Sequence, residues 1–274
     1  MDLNNTLTFG GINSATYGIY IDGSGVFNSP ERDVTMVTIP NRNGQLSLDN
    51  GRFENIEVTY NAFVTENNGK TMAENIRDFR NAIGSLKGYQ RLEDTYHTDE
   101  FRMGVFRNGI EVEPVIYQTG GAFEVTFDCK PQRFISAAPT GWLESGGVVY
   151  YEQVQGNNTD VSATKANPFL FEASPNIVLT PNQASTAVWI YEFTINGKTV
   201  TWTVQTGNTK TLYINGDTWD AYSIVGGAYV SENANVTFTN GFPTLPANSS
   251  FTINTTATNA SGYTLRIEPN FWRI

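Results

Sequence analysis

The residues best equipped for chemistry lie close together. The stretch GYQRLEDTYHTDEFR, residues 88 to 102, holds Glu93, Asp94, His97, Asp99 and Glu100 between Arg91 and Arg102, and His97 is the only histidine of the chain. Such a set could ligate a metal through oxygens and one imidazole, or supply two carboxylates for acid/base work. The spacing argues against both. It lacks the D-x-[DN]-x-[DN]-G pattern of a calcium loop, and zinc would need H-E-x-x-H or a second histidine. Paired glycosidase carboxylates face each other across a cleft, which neighbours on an extended segment usually do not. We read the stretch as an exposed connection after a helix. Its acids and arginines pair locally or across a subunit boundary, and Tyr89, Leu92, Tyr96 and Phe101 form its buried side. No catalytic, metal-ligating or cofactor-binding residue is assigned.

Other reaction motifs are missing. There is no G-x-x-x-x-G-K-[ST], no G-x-S-x-G and no G-x-G-x-x-G, and one histidine leaves no basis for a Ser-His-Asp triad, so no enzyme is expected. The Gly-x-Gly of IDGSGVFNSP has no helix after it and reads as a loop rather than a phosphate cradle. Cys129, the single cysteine, cannot form an internal disulfide and reads as core.

Aromatic faces offer another chemistry, because they stack on the C–H patches of sugars. All five tryptophans, Trp142, Trp189, Trp202, Trp219 and Trp272, fall in the second half of the chain. Trp202 in TVTWTV alternates with threonines and reads as core. Trp219, beside Asp217 and Asp220 just past an Asn-Gly turn, and Tyr222 are weak candidates for a glycan contact. A carbohydrate-binding adhesion module acting through this half is the alternative function.

The elements that would position these residues are mostly strands. The 274 residues are 39% hydrophobic and 13% aromatic, with many Thr, Asn, Ser and Gly, which suits β-structure with frequent turns. One helix is predicted over 71–87. Thr71 and Glu74 form a capping box, Met72, Ile76, Phe79, Ile83 and Leu86 recur at helical spacing, and Gly88 is placed to end it. In FEVTFDCK the period is two, with Phe123, Val125, Phe127 and Cys129 on one face. Asn-Gly occurs seven times, at Asn43, Asn50, Asn68, Asn108, Asn196, Asn215 and Asn240, and suits type I′ hairpin turns. YEFTINGKTVTWTV and KTLYINGDTWDAY read as consecutive hairpins of an antiparallel sandwich.

Charge density divides the chain. Residues 1–134 hold 12 Lys/Arg and 18 Asp/Glu, net -6, and residues 135–274 hold 5 and 9, net -4, which sum to the total of -10. The small-residue stretch ISAAPTG, 135 to 141, marks the expected boundary between an α+β first domain and a β-sandwich second domain. The acidic balance disfavours sequence-independent binding to nucleic acid or anionic membranes. The N-terminus has no basic region followed by an apolar run, and no segment approaches a membrane span, so we expect a soluble chain without a cleaved signal.

Together, GGINSATYGIYI (10 to 21), RDVTMVTIPNRNGQLSLDNGRFENIEVTY (32 to 60), GYQRLEDTYHTDEFR (88 to 102), FEVTFDCKPQRF (123 to 134) and the closing RIEPNFWRI resemble the distal tail protein family of long-tailed phages with non-contractile tails, especially those of Gram-positive hosts. Asn41 stands where the family often has glycine after Ile-Pro, and Thr98 where it often has proline after His97. The resemblance implies a mainly β structural protein of the virion, at the phage tail tip: a homohexameric baseplate hub whose N-terminal domains close a ring and whose C-terminal, galectin-like sandwiches project outward. It implies as partners the tail tube protein, the tail-associated lysin or fibre hub protein and, in some relatives, receptor-binding proteins. Phage DNA would only pass through the lumen, and there would be no membrane insertion.

Overall fold

The computed structural model describes residues 5–115, 120–156, 160–205, 210–258 and 262–274. It is mainly β, and its contacts divide it into two compact units, 1–134 with Ile274, and 135–273.

In the first unit the strands are β1 (Leu7–Phe9), β2 (Ile12–Asn13), β3 (Ile19–Ile21), β4 (Arg32–Thr38), β5 (Gln45–Phe53), β6 (Ile56–Thr65), β7 (Gln90–Asp94), β8 (Glu100–Phe106), β9 (Val112–Val115) and β10 (Gly120–Ile135). One sheet runs β2-β1-β7-β8-β10-β6-β3, with β9 also on β10. Alternation decides its inner face: Phe123, Val125, Phe127 and Cys129 of β10 are buried, as are Val58, Tyr60, Ala62 and Val64 of β6, which pairs with it antiparallel. Helix α1 (Met72–Gly84) covers this unit's core with Met72, Ile76, Phe79 and Ile83, and Asn75 Nδ2 donates to Thr65 O of β6 at 2.9 Å.

The helix starts where the sequence says. Thr71 Oγ1 accepts from Glu74 N while Glu74 Oε2 accepts from Thr71 N at 2.9 Å, the reciprocal capping box. It ends earlier than predicted. Ser85 is the C-cap and its Oγ donates to Ala82 O at 2.7 Å, whereas Gly88, at φ 66°, turns the chain into β7.

Strands β4 and β5 stand apart from that sheet and pair only with each other. The register Val37↔Leu46 and Thr35↔Leu48 puts Val37, Leu46 and Leu48 on one face, and all three are exposed, as is Met36 on the other. Arg32 binds Asp49 at 2.6 Å, and Arg52 binds Asp33 at 2.6 Å. In the connecting loop Asn41 takes φ 62°, the left-handed conformation a glycine would supply, so the substitution keeps the turn.

The second unit packs two antiparallel sheets. Their strands are β11 (Leu143–Ser145), β12 (Val148–Gln155), β13 (Val161–Asn167), β14 (Asn176–Pro181), β15 (Trp189–Ile195), β16 (Lys198–Val204), β17 (Leu212–Ile214), β18 (Ala221–Val225), β19 (Ala228–Ser231), β20 (Val236–Thr239), β21 (Ser249–Thr258) and β22 (Tyr263–Glu268). One sheet is ordered β11-β12-β22-β14-β17-β18-β19, the other β13-β21-β15-β16-β20. Ile177, Leu179, Leu212, Leu265 and Ile267 from the first share a core with Tyr191, Phe193, Val200, Trp202, Phe251 and Ile253 from the second. Trp202 is fully buried, as its alternation with threonines predicts.

The Asn-Gly dipeptides divide by context. Asn196-Gly197 joins β15 to β16 with both residues at positive φ, a two-residue hairpin, and Asn68-Gly69 and Asn240-Gly241 take the same pair of conformations. The others do not. Asn50-Gly51 lies inside β5 in a bulge opposite Asp33, and Asn215-Gly216, with neither residue at positive φ, opens a six-residue loop between β17 and β18.

Candidate functional site

The segment 88–102 is a β-hairpin in the sheet, which corrects the reading of an exposed connection. Strands β7 and β8 pair as Gln90↔Gly104, Arg91↔Met103 and Leu92↔Arg102, and the tip spans residues 95–99. Strand pairing inside a sheet carries alternate residues into the interior whatever their charge, so Asp94, Glu100 and Arg102 are buried with Leu92 while Asp99 is exposed. Tyr89, expected on the buried side, is exposed, because it precedes the first paired residue.

Asp94 organises the tip. Its Oδ1 accepts from Tyr96 N and His97 N at 3.0 Å each and lies 2.9 Å from His97 Nδ1, and its Oδ2 accepts from Tyr60 Oη at 2.9 Å. Those donors are protein groups, so Asp94 acts as a turn anchor. Burial, and then the Asp94 charge, hold the Tyr60 phenol well above its usual value. The imidazole of His97 packs 4.9 Å from Phe27, whose ring is largely exposed.

The two arginines have different jobs. Arg91 pairs with Glu93 at 2.7 Å and lies 3.9 Å over the ring of Phe101, which stacks on Phe134. Arg102 bonds instead to backbone carbonyls. Its guanidinium donates to Pro131 O at 2.8 Å and to Lys130 O and Asn28 O at 3.3 Å. Buried Arg133 donates to Val26 O. Arginine supplies several fixed donors, and here they hold the glycine loop of IDGSGVFNSP to β10. Burial, and then the charge of Arg133, push Arg102 down to about 10, which leaves it charged at neutral pH.

Cys129 is buried, and desolvation pushes its thiol up to about 12, so it is an inert core residue. Among the described residues no cluster of three or more His, Cys, Asp or Glu could hold a metal ion, and no helix is long and apolar enough to cross a membrane.

Sequence reasoning missed the β4–β5 arm. Its alternation, VTMVT against QLSLD, resembles that of any half-buried strand, and the signal that could have found it was negative: among the described residues no element covers the apolar face. Of the two glycan candidates, Trp219 is exposed and Tyr222 is not a free platform. The Tyr222 ring stacks on Tyr213 at 5.3 Å and on Tyr229 at 4.6 Å, one on each neighbouring strand.

No protein-family model and no curated protein matches the sequence. Solved structures do match. The crystal structure of the Dit protein of phage SPP1, described as a paradigm of the hub adsorption apparatus in Gram-positive infecting phages, aligns over 96% of this chain and 98% of its own, at TM-score 0.60 and 12% identity. The baseplate of phage p2 in its activated conformation aligns over 96% of both chains at TM-score 0.54, with 9% identity in the strontium form and 8% in the calcium form. Over nearly its whole length, through both compact units, this chain therefore has the fold of phage distal tail and baseplate hub proteins.

Proposed function

We propose that the chain is a non-enzymatic structural protein of a phage virion, the distal tail hub. In this reading six copies form a ring, with the first unit as the ring-forming domain and the second as a galectin-like sandwich directed outward. The ring joins the tail tube protein to the tail-associated lysin or fibre hub protein and to any receptor-binding protein, and it leaves a channel for DNA. The full-length likeness to the hub structures supports the fold on which this rests.

The single observation that carries it is the β4–β5 arm. A two-stranded ribbon is marginally stable alone in water, and this one also exposes Val37, Leu46 and Leu48 on one face. A neighbouring copy in a closed ring would cover that face, since cyclic symmetry sets one surface of each subunit against a different surface of the next. The net charge of -10 per chain suits a conduit that must not hold DNA, because like charge repels phosphate.

Size-exclusion chromatography with light scattering tests this. A monodisperse particle of about six chains, reduced to monomer by Leu46→Asp with Leu48→Asp, is the expected result. A monomer that stays monomeric with its tail partners present and binds host wall glycans would favour the adhesion module instead.

A further inference from the structure

Trp219 stands out by its backbone. Among the described residues every non-glycine residue at positive φ is an asparagine except Trp219, at 61°. Asparagine enters this region readily, while a bulky side chain there is a conformational outlier and signals strain that the surroundings impose.

Those surroundings form a tightly tied loop. Asn215 Oδ1 accepts from Asp217 N at 2.8 Å and Thr218 N at 3.1 Å, Trp219 N donates to Asn215 O at 2.8 Å, and Asn215 N donates to Asp220 O at 3.0 Å. Gly216 N donates to Asn176 Oδ1 at 3.0 Å, and a Cβ at Gly216 would come within 2.4 Å of Ser174 O, so the loop sits directly on the backbone before β14.

The loop presents an aromatic plate. The Trp219 ring lies parallel to that of buried Phe242, at 5.5 Å and 3°, so one face is backed by the core while the side chain stays 56% exposed. Trp142, Trp189 and Trp202 are buried. Trp272 is partly buried, so of the five tryptophans Trp219 is the exposed one, and it is also the one at positive φ.

We propose that Trp219 is the stacking platform of a carbohydrate subsite that takes a neutral pyranose, with Asp220, whose Oδ1 accepts from Asn233 Nδ2 at 3.3 Å, as an acceptor for its hydroxyls through Oδ2. An indole face matches the C–H face of one sugar ring, and the carboxylate of the next residue is an acceptor of the kind the sugar's hydroxyls need. The negative charge of the loop, from Asp217 and Asp220, opposes a protein partner, since charged residues are depleted at interface cores, and it repels phosphate-bearing polymers. The subsite stands on these observations alone and does not depend on the ring.

The test uses the full chain labelled with 5-fluorotryptophan, with the Trp219 fluorine resonance assigned by its absence in Trp219→Phe. The probes are methyl glucoside, methyl galactoside, methyl rhamnoside and diacetylchitobiose, with a glycerol phosphate polymer as the anionic comparison. At least one neutral sugar should move the Trp219 resonance saturably at millimolar concentration while the resonances of Trp142, Trp189 and Trp202 stay in place. Asp220→Asn should weaken that response roughly tenfold, the loss of one charge-assisted polar contact. Trp219→Gly should abolish binding while the resonances of Trp142, Trp189 and Trp202 keep their native positions, which separates lost binding from lost folding, since glycine adopts this φ freely. Silence of the Trp219 resonance with every neutral sugar to about 100 mM, a range that admits very weak contacts, overturns the proposal. So does unchanged binding by Trp219→Gly, or a response to the glycerol phosphate polymer that matches the neutral sugars.

Discussion

The guanidinium of Arg102 donates to the carbonyl oxygen of Pro131 at 2.8 Å, so a charge from the hairpin that looked like surface is spent holding buried backbone. Lys130 O and Asn28 O accept from the same group. Arg102→Met fills similar space and takes the guanidinium's donors away from these carbonyls. It should cost roughly 2–4 kcal/mol, the range for an unsatisfied buried polar set with a charged member. Urea unfolding measures this, and a midpoint equal to that of the parent would refute the clamp.

Adjacent acids should differ sharply. Asp94 accepts from backbone and from buried Tyr60, while Glu93 bonds Arg91 in a partly exposed pair. Asp94→Ala should lose roughly 2–3 kcal/mol and Glu93→Ala under about 0.5 kcal/mol. Thermal unfolding of the two single variants separates them, and equal losses would contradict the geometry.

The arm should respond to acid. Asp33 is held below its ordinary value of 3.8, chiefly by hydrogen bonds from Asn50 and Arg52, and Asp49 likewise by Arg32 and then by Gly51 N. A depressed carboxylate stabilises the folded form above the ordinary value and loses that contribution as pH falls through the lowered one. Amide protection across β4–β5, taken as exchange relative to the intrinsic rate at each pH, should therefore fall more between pH 7 and below pH 4 than protection in the β6–β10 pair.

Cys129 should be silent. With the thiol buried and pushed up to about 12, a thiol reagent at pH 8 should label the native chain only as fast as it unfolds, and fully in denaturant. Rapid native labelling would show that β10 opens locally.

Local interactions were the part legible in the sequence. The capping box of Thr71 and Glu74, the alternation of Phe123, Val125, Phe127 and Cys129, the Asn196-Gly197 hairpin and the burial of Trp202 each depend on residues near in the chain. Their periods and dihedral preferences act over a few residues, so the pattern alone suffices. The same holds for the mainly β character and for the resemblance to distal tail proteins, which the shared fold supports over both units.

Tertiary structure decided what each polar residue is for. Nothing within 88 to 102 announces that Arg102 will meet carbonyls near Asn28 and Pro131, or that Asp94 will receive Tyr60, since those partners arrive through strand pairing from distant segments. Exposure also depends on what the rest of the chain supplies. Leu46 and Leu48 carry the alternation of a half-buried strand but find no described element to cover them, while Trp219 is exposed on a loop tied to Asn176. A hydrophobic side chain states what it would gain by burial, and only the assembled fold states whether a surface is there to provide it.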